Sequence, residues 1–178
     1  MMTFEPMSRW QFVRAILAMG AIVLSSNLLV QFPINDWLTW GAFTYPVAYL
    51  AIDLVNRRHG PRQARRVAWV GFAVAVVASL ILAPPRIAIA SGTAYIASQL
   101  LDIQVFDRLR QGNWWRAPLV STVLSATLDT ALFWSIAFSG QGLPWTSWAA
   151  GDLAVKLAVG ISMLLPFRIL IRRTPSGR

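Results

Sequence analysis

Six apolar runs, each near the roughly 20 residues that cross a hydrocarbon layer at 1.5 Å per residue, occupy most of this chain. They extend over about 12–30, 40–55, 67–83, 87–106, 117–138 and 150–171. In lipid every backbone N–H must find its partner within its own segment, which makes these runs helices. The expectation is an all-α membrane protein, a bundle of six transmembrane helices forming one integral domain over 1–178. Composition agrees: 56% of the 178 residues are hydrophobic and 13% charged, against about 45–50% and 25% in soluble domains. The length leaves no room for a separate soluble domain of ordinary size. The first run exceeds a signal-peptide core and lacks a small-x-small site before Ser25, Ser26 and Asn27, so it is expected to stay as a span.

The charge pattern orients the bundle. The net charge is +9, which in a soluble protein would suggest nucleic acid. Yet fourteen of the sixteen basic residues fall at the N-terminus (Arg9, Arg14), between the second and third runs (Arg57, Arg58, Arg62, Arg65, Arg66), between the fourth and fifth (Arg108, Arg110, Arg116), or at the end (Arg168, Arg172, Arg173, Arg178). The alternate connections hold Arg86 alone. Lipid topology thus accounts for the basic excess without nucleic acid, and places both termini in the cytoplasm. Trp10, Trp69, Trp114 and Trp115 fall at inner ends and Trp37, Trp40, Trp145 and Trp148 at outer ends, as an interfacial belt requires. The absence of cysteine and a single histidine, His59, exclude disulfides, thiolate sites and histidine-rich metal centres. No cofactor is expected.

Five charges break the apolar pattern: Asp53, Asp102, Asp129, Asp152 and Lys156. An ionisable group in the hydrocarbon costs about 2.5–3.5 kcal/mol, so each needs a partner or a polar cavity. Depth counting puts Asp129 roughly 18 Å and Lys156 roughly 22 Å from the inner surface, close enough to meet. Asp152 precedes Lys156 by four residues on the same helix face. Asp53 and Asp102 lie nearer the inner ends.

The fourth run reads SQLLDIQVF from Ser98 and the fifth SATLDTALF from Ser125, both of the form SxxLDxx[VL]F. Helical spacing puts Ser98, Asp102 and Phe106 on one face, and likewise Ser125, Asp129 and Phe133. Successive spans are antiparallel, so the echo is an inverted one, the symmetry that sets a transport site at a repeat interface. Tyr45, Tyr49 and Asp53 follow the same four-residue spacing in the second run.

Four segments, GAFTYPVAYLAIDLVNRRHG, ASGTAYIASQLLDIQVFDRLR, WWRAPLVSTVLSATLDTALFWSIAF and the Lys156 run ending LLPFRIL, resemble in order and spacing the queuosine precursor transporters, also called the vitamin uptake transporter family. The likeness covers roughly 40–170, and SQLLD and LDT are its specific part. Two patterns depart from the family: Ala126 replaces a glutamine, and Arg57, Arg58 and His59 precede Gly60 where an acidic residue and a tyrosine are usual. The resemblance implies a six-helix inner-membrane importer, not an enzyme. Its substrates would be 7-deazaguanine precursors of the tRNA nucleoside queuosine, chiefly 7-cyano-7-deazaguanine, with 7-aminomethyl-7-deazaguanine second.

Such a base presents two adjacent N–H donors to one carboxylate and a carbonyl to one donor. Asp102 or Asp129 would accept, and Gln99 or Lys156 donate. Tyr49, Tyr95, Phe106 and Phe133 offer stacking surfaces, and Ser98, Ser125 and Asp53 complete the candidate set. Three other readings stay open. The chain could be the substrate-capturing subunit of an ATP-driven importer, whose ATPase would be another polypeptide since GxxxxGK[ST] is missing here. It could also be an intramembrane hydrolase using a serine with Lys156 as a dyad or the pair Asp102 and Asp129. The third is a purely structural or assembly protein. Small-residue pairs, Gly71 with Ala75 and Ala154 with Ala158, permit close helix packing and leave a homodimer open.

Overall fold

The computed structural model describes residues 4–172; Arg173, Arg178 and the side chains of Ala75 and Arg172 lie outside what is described. Its five helices are α1 (Arg9–Leu29), α2 (Pro46–Leu82), α3 (Pro85–Leu109), α4 (Arg116–Phe138) and α5 (Trp145–Arg172). Helix α1 starts where Ser8 and Gln11 cap each other's backbone N–H groups, a capping box. Proline sets the other starts: Pro46 and Pro85 open their helices, and Pro144 stands just before α5. A proline at the first helical position loses no hydrogen bond there.

Residues 56–66, expected as a loop, are instead helical on both sides of one break. Gly60 takes φ 83° and ψ 170° inside α2, and Pro61 begins the second arm. That backbone region is open essentially to glycine alone. The surrounding arginines, glutamine and alanine are good helix formers, so one residue suffices for the break. The segment after α1 also departs from expectation. Pro33–Asn35 (β1) and Leu38–Thr39 (β2) form a small antiparallel hairpin, followed by a 3-10 turn over Trp40–Phe43. The hairpin leans on the start of α5: Ser147 Oγ donates to the Asp36 carbonyl (2.8 Å) and Trp148 Nε1 to that of Asn35 (3.2 Å). Gly151 lets the Trp37 carbonyl approach so closely that a β-carbon there would collide with it.

Three helical stretches, Arg9–Leu29, Arg116–Phe138 and Trp145–Ile171, are long and apolar enough to cross a membrane. Helix α2 carries the arginine cluster and α3 much of the polar interior, which lowers their hydropathy. Helices α3 and α4 form the most extensive packing pair, with α2 against α1 and α3 next. The basic segments converge. Arg57 donates to the Arg110 carbonyl (2.9 Å), Arg58 to that of Leu170 (3.0 Å), and His59 Nδ1 meets the Glu5 carbonyl (2.9 Å). Arg86 stands apart from them, holding the carbonyls of Ile136 and Ser139 at the far end of α4. Between these ends the apolar core gathers around Met19, Ile52, Val67 and Ile103, with a second cluster around Trp134 and a third around Phe106 and Phe167.

Candidate functional site

Helices α3 and α4 cross antiparallel, and the two echoed motifs meet crosswise. Ser98 of the first motif donates to Asp129 Oδ1 of the second at 3.4 Å, and also contacts the Tyr95 carbonyl at 3.1 Å. Reciprocally, Asp102 of the first stands beside Ser125 of the second. Each serine therefore faces the other motif's aspartate. The two carboxylates then differ in what the remaining helices bring to them.

Asp129 meets a cation. Lys156 of α5 donates to Asp129 Oδ2 at 2.8 Å and pairs with Asp152 Oδ2 at 2.5 Å. Asp152 also accepts from Thr130 Oγ1 (3.0 Å) and Trp134 Nε1 (3.2 Å), while the ammonium contacts Thr130 Oγ1 (3.3 Å) and lies 5.0 Å from the Tyr45 ring centre. Lys156 and Asp129 are each 3% exposed. A buried ion pair survives only with good geometry and additional hydrogen bonds. Here Thr130, Trp134 and Ser98 supply them.

Among the described residues, Asp102 meets no cation. Its neighbours are Asp53 of α2 and Ser121 and Ser125 of α4, and neither of its carboxyl oxygens reaches hydrogen-bond geometry with any of them. The same holds for both amide atoms of Gln99, for Asp53 Oδ1, for Ser125 Oγ and for the Tyr49 hydroxyl, all fully buried. Buried polar groups are nearly always paired, because leaving one unpaired costs about 1–3 kcal/mol. A concentration of them around Asp102 is the pattern of a site built for a polar ligand. It offers a carboxylate for adjacent N–H donors, an amide that both donates and accepts, and hydroxyls. Tyr49 lies between the two centres, next to Ser98 and within the fields of both Asp129 and Asp102.

Most of the expected residues thus lie on one polar seam: Asp53, Gln99, Asp102 and Ser125, then Tyr49 and Ser98, then Asp129 and Lys156. Phe133 joins Tyr45, Asp152 and Lys156 around a cavity of about 20 Å³. Phe106 does not join the seam. It packs edge-on against Phe167 (6.1 Å between ring centres) in the third core cluster. Tyr95 stacks on Phe72 (6.2 Å). The sequence reading did not include Thr130 or Trp134 among its site residues, although both carried a signal. They share a helix face four residues apart beside Asp129, and Trp134 is the one tryptophan outside the two interfacial belts. Among the described residues, no cluster of metal-ligating side chains exists.

A cavity of 20 Å³ admits about one water molecule, whereas pockets for small organic ligands measure roughly 300 Å³ or more. The helices are closed over the seam in this conformation, and entry of a ligand requires them to part.

The sequence was compared with those of known proteins. The family model described as "Putative vitamin uptake transporter" matches residues 39–84 and 79–171. The queuosine precursor transporter of Escherichia coli (strain K12) is 35% identical over 176 residues, covering 82% of this chain and 79% of the relative. The "Probable queuosine precursor transporter" of Haemophilus influenzae is 33% identical over 186 residues with the same coverage, and that of Bacillus subtilis (strain 168) is 27% identical over 156 residues, covering 71% and 68%. No solved structure matches the chain. With a family model spanning most of its length and its buried charges gathered on the matched helices, the chain belongs to the vitamin uptake transporter family and is a membrane transport protein rather than an enzyme.

Proposed function

We propose that this protein imports 7-deazaguanine precursors of queuosine, 7-cyano-7-deazaguanine foremost, across the inner membrane, as a six-span bundle with both termini cytoplasmic. The observation that carries the reading is the unpaired polar group around Asp102. The guanine edge of a deazaguanine has an N1 hydrogen and an exocyclic amine side by side, which one carboxylate accepts together. Its carbonyl needs a donor, and the Gln99 amide stands one helical turn from Asp102 with both atoms unpaired. Tyr49 gives the flat ring an aromatic neighbour at the same seam. The names of the relatives from Escherichia coli and Haemophilus influenzae point to the same substrate class. The orientation is supported by the convergence of the basic segments at one end and Arg86 at the other, the asymmetry that the positive-inside rule reads.

The test is uptake of labelled 7-cyano-7-deazaguanine by cells unable to synthesise it, with and without this chain. Accumulation that depends on the protein supports the reading. Equal uptake in both cell types refutes it.

A further inference from the structure

At the end of the bundle where the arginines converge, a groove of about 670 Å³ opens between α1 and the second arm of α2. Arg62, Arg65 and Arg66 line it with Phe12, Trp69 and Val70, and no acidic side chain does. The three guanidiniums are exposed, and none belongs to a salt bridge among the described residues. Arg66 leans over the Phe12 ring, 5.6 Å from its centre, which sets one wall of the groove. Below the arginines the same helix presents an exposed apolar stripe: Trp69 is 51% exposed, Val70 40%, Val74 43% and Val77 63%. Opposite Val74 stands Gly20 of α1, where an added β-carbon would come within 3.3 Å of the valine, so the two helices approach closely there. From Arg66 to Val77 the helix rises about 16 Å, close to the hydrocarbon depth of one leaflet.

A cluster of unpaired cations at the membrane surface, continuous with an apolar track one leaflet deep, is complementary to a molecule with an anionic head and a hydrocarbon tail. We propose that this groove binds one anionic phospholipid, with its phosphate on Arg62, Arg65 and Arg66 and an acyl chain along Val70, Val74 and Val77. Guanidiniums suit the head, because their planar forks hold phosphate oxygens in pairs. Trp69 sits where an amphipathic ring belongs, between head and tail. The inference uses the membrane location of the protein and not its substrate, so either can fail without the other.

The experiment is native mass spectrometry of the detergent-purified protein, titrated separately with phosphatidylglycerol and phosphatidylcholine. One tightly held phosphatidylglycerol per chain is expected. It should weaken roughly a hundredfold in Arg62→Gln/Arg65→Gln/Arg66→Gln, since each surface arginine contributes to binding an anionic lipid. The corresponding triple lysine variant should bind with intermediate affinity, because an ammonium keeps the charge but not the paired contacts. Equal retention of both lipids, or an unchanged adduct in the glutamine variant, overturns the proposal. So does complete displacement of the lipid by millimolar inorganic phosphate, which would mean that the head group alone is held. A protein dimer lost in the glutamine variant with no lipid adduct in either protein would assign the face to a second copy and equally overturn it.

Discussion

Asp102 and Asp129 occupy equivalent places in two echoed motifs, and their surroundings set them apart. Asp129 is committed to Lys156, so its charge is balanced before any ligand arrives. Asp102 keeps both oxygens free of hydrogen-bond partners. Asp102→Asn replaces an acceptor-only group with one whose N–H donors would face the ligand's own. The loss of one charged hydrogen bond, about 1.5–3 kcal/mol, should weaken precursor uptake roughly ten- to over a hundredfold, with membrane expression retained. Transport assays paired with quantitative blotting would check both halves. Lys156 separates differently. Lys156→Met strips the cation from two carboxylates and should destabilise the protein by about 3–5 kcal/mol. Adding Asp129→Asn should recover expression, because the remaining Asp152 still accepts from Thr130 and Trp134. Adding Asp152→Asn should recover less, because Asp129 would keep only the long 3.4 Å contact from Ser98 and the nearby Tyr45 hydroxyl, which is outside hydrogen-bond geometry. Thermal unfolding of the two double variants in detergent would rank them, and the opposite order would mean that the hydrogen bonds to Asp152 are not what sustains it.

At the level of elements, the crossing of α3 and α4 builds the candidate site, and α2, broken at Gly60, contributes to the packing from both of its arms. The first arm of α2 brings Tyr49 and Asp53 to the seam, and the second brings Phe72 against Tyr95. Gly60 between them has a backbone geometry that side chains resist, and the Phe4 ring lies where a β-carbon would stand, 2.8 Å from its ideal position. Gly60→Ala should therefore cost about 1–3 kcal/mol from backbone strain alone. Truncating the ring in Phe4→Ala/Gly60→Ala should remove the steric part and leave the strain. Melting temperatures of the single and double variants would show how much of the cost belongs to each.

For the whole molecule, the arginines order the ends and the polar seam runs between them. A cysteine at Arg62 and another at Gln141 should label from opposite sides of the membrane with an impermeant thiol reagent, in a chain that has no cysteine of its own. Labelling from the same side would overturn the proposed orientation. The closed seam also makes the site's accessibility a property of the bundle and not of any one helix. The 20 Å³ cavity around Lys156 must enlarge before a molecule the size of the proposed substrate can enter.

The membrane character, the helical class and the identity of the interior charges were legible in the sequence, because hydrophobicity and the 3.6-residue period are local properties that each segment carries by itself. So was the meeting of Lys156 with Asp129 and Asp152, since depth in a helix is a matter of counting at 1.5 Å per residue. What counting along one chain could not decide was rotation about each helix axis. Phe106 shares a face with Ser98 and Asp102, yet its ring is taken by Phe167 from α5, and Trp134, which was not among the expected site residues, became a donor to Asp152. The break at Gly60 escaped for a similar reason. Arginines mark a membrane boundary whether the chain there is a loop or a helix, and only packing against Phe4 and Arg110 fixes which. The crosswise pairing of Ser98 with Asp129 and of Ser125 with Asp102 was present as an echo in the sequence. The tertiary structure alone decided that α5 would bring a cation to one of these aspartates and α2 a second acid to the other, because those partners come from helices whose order and facing no single segment encodes.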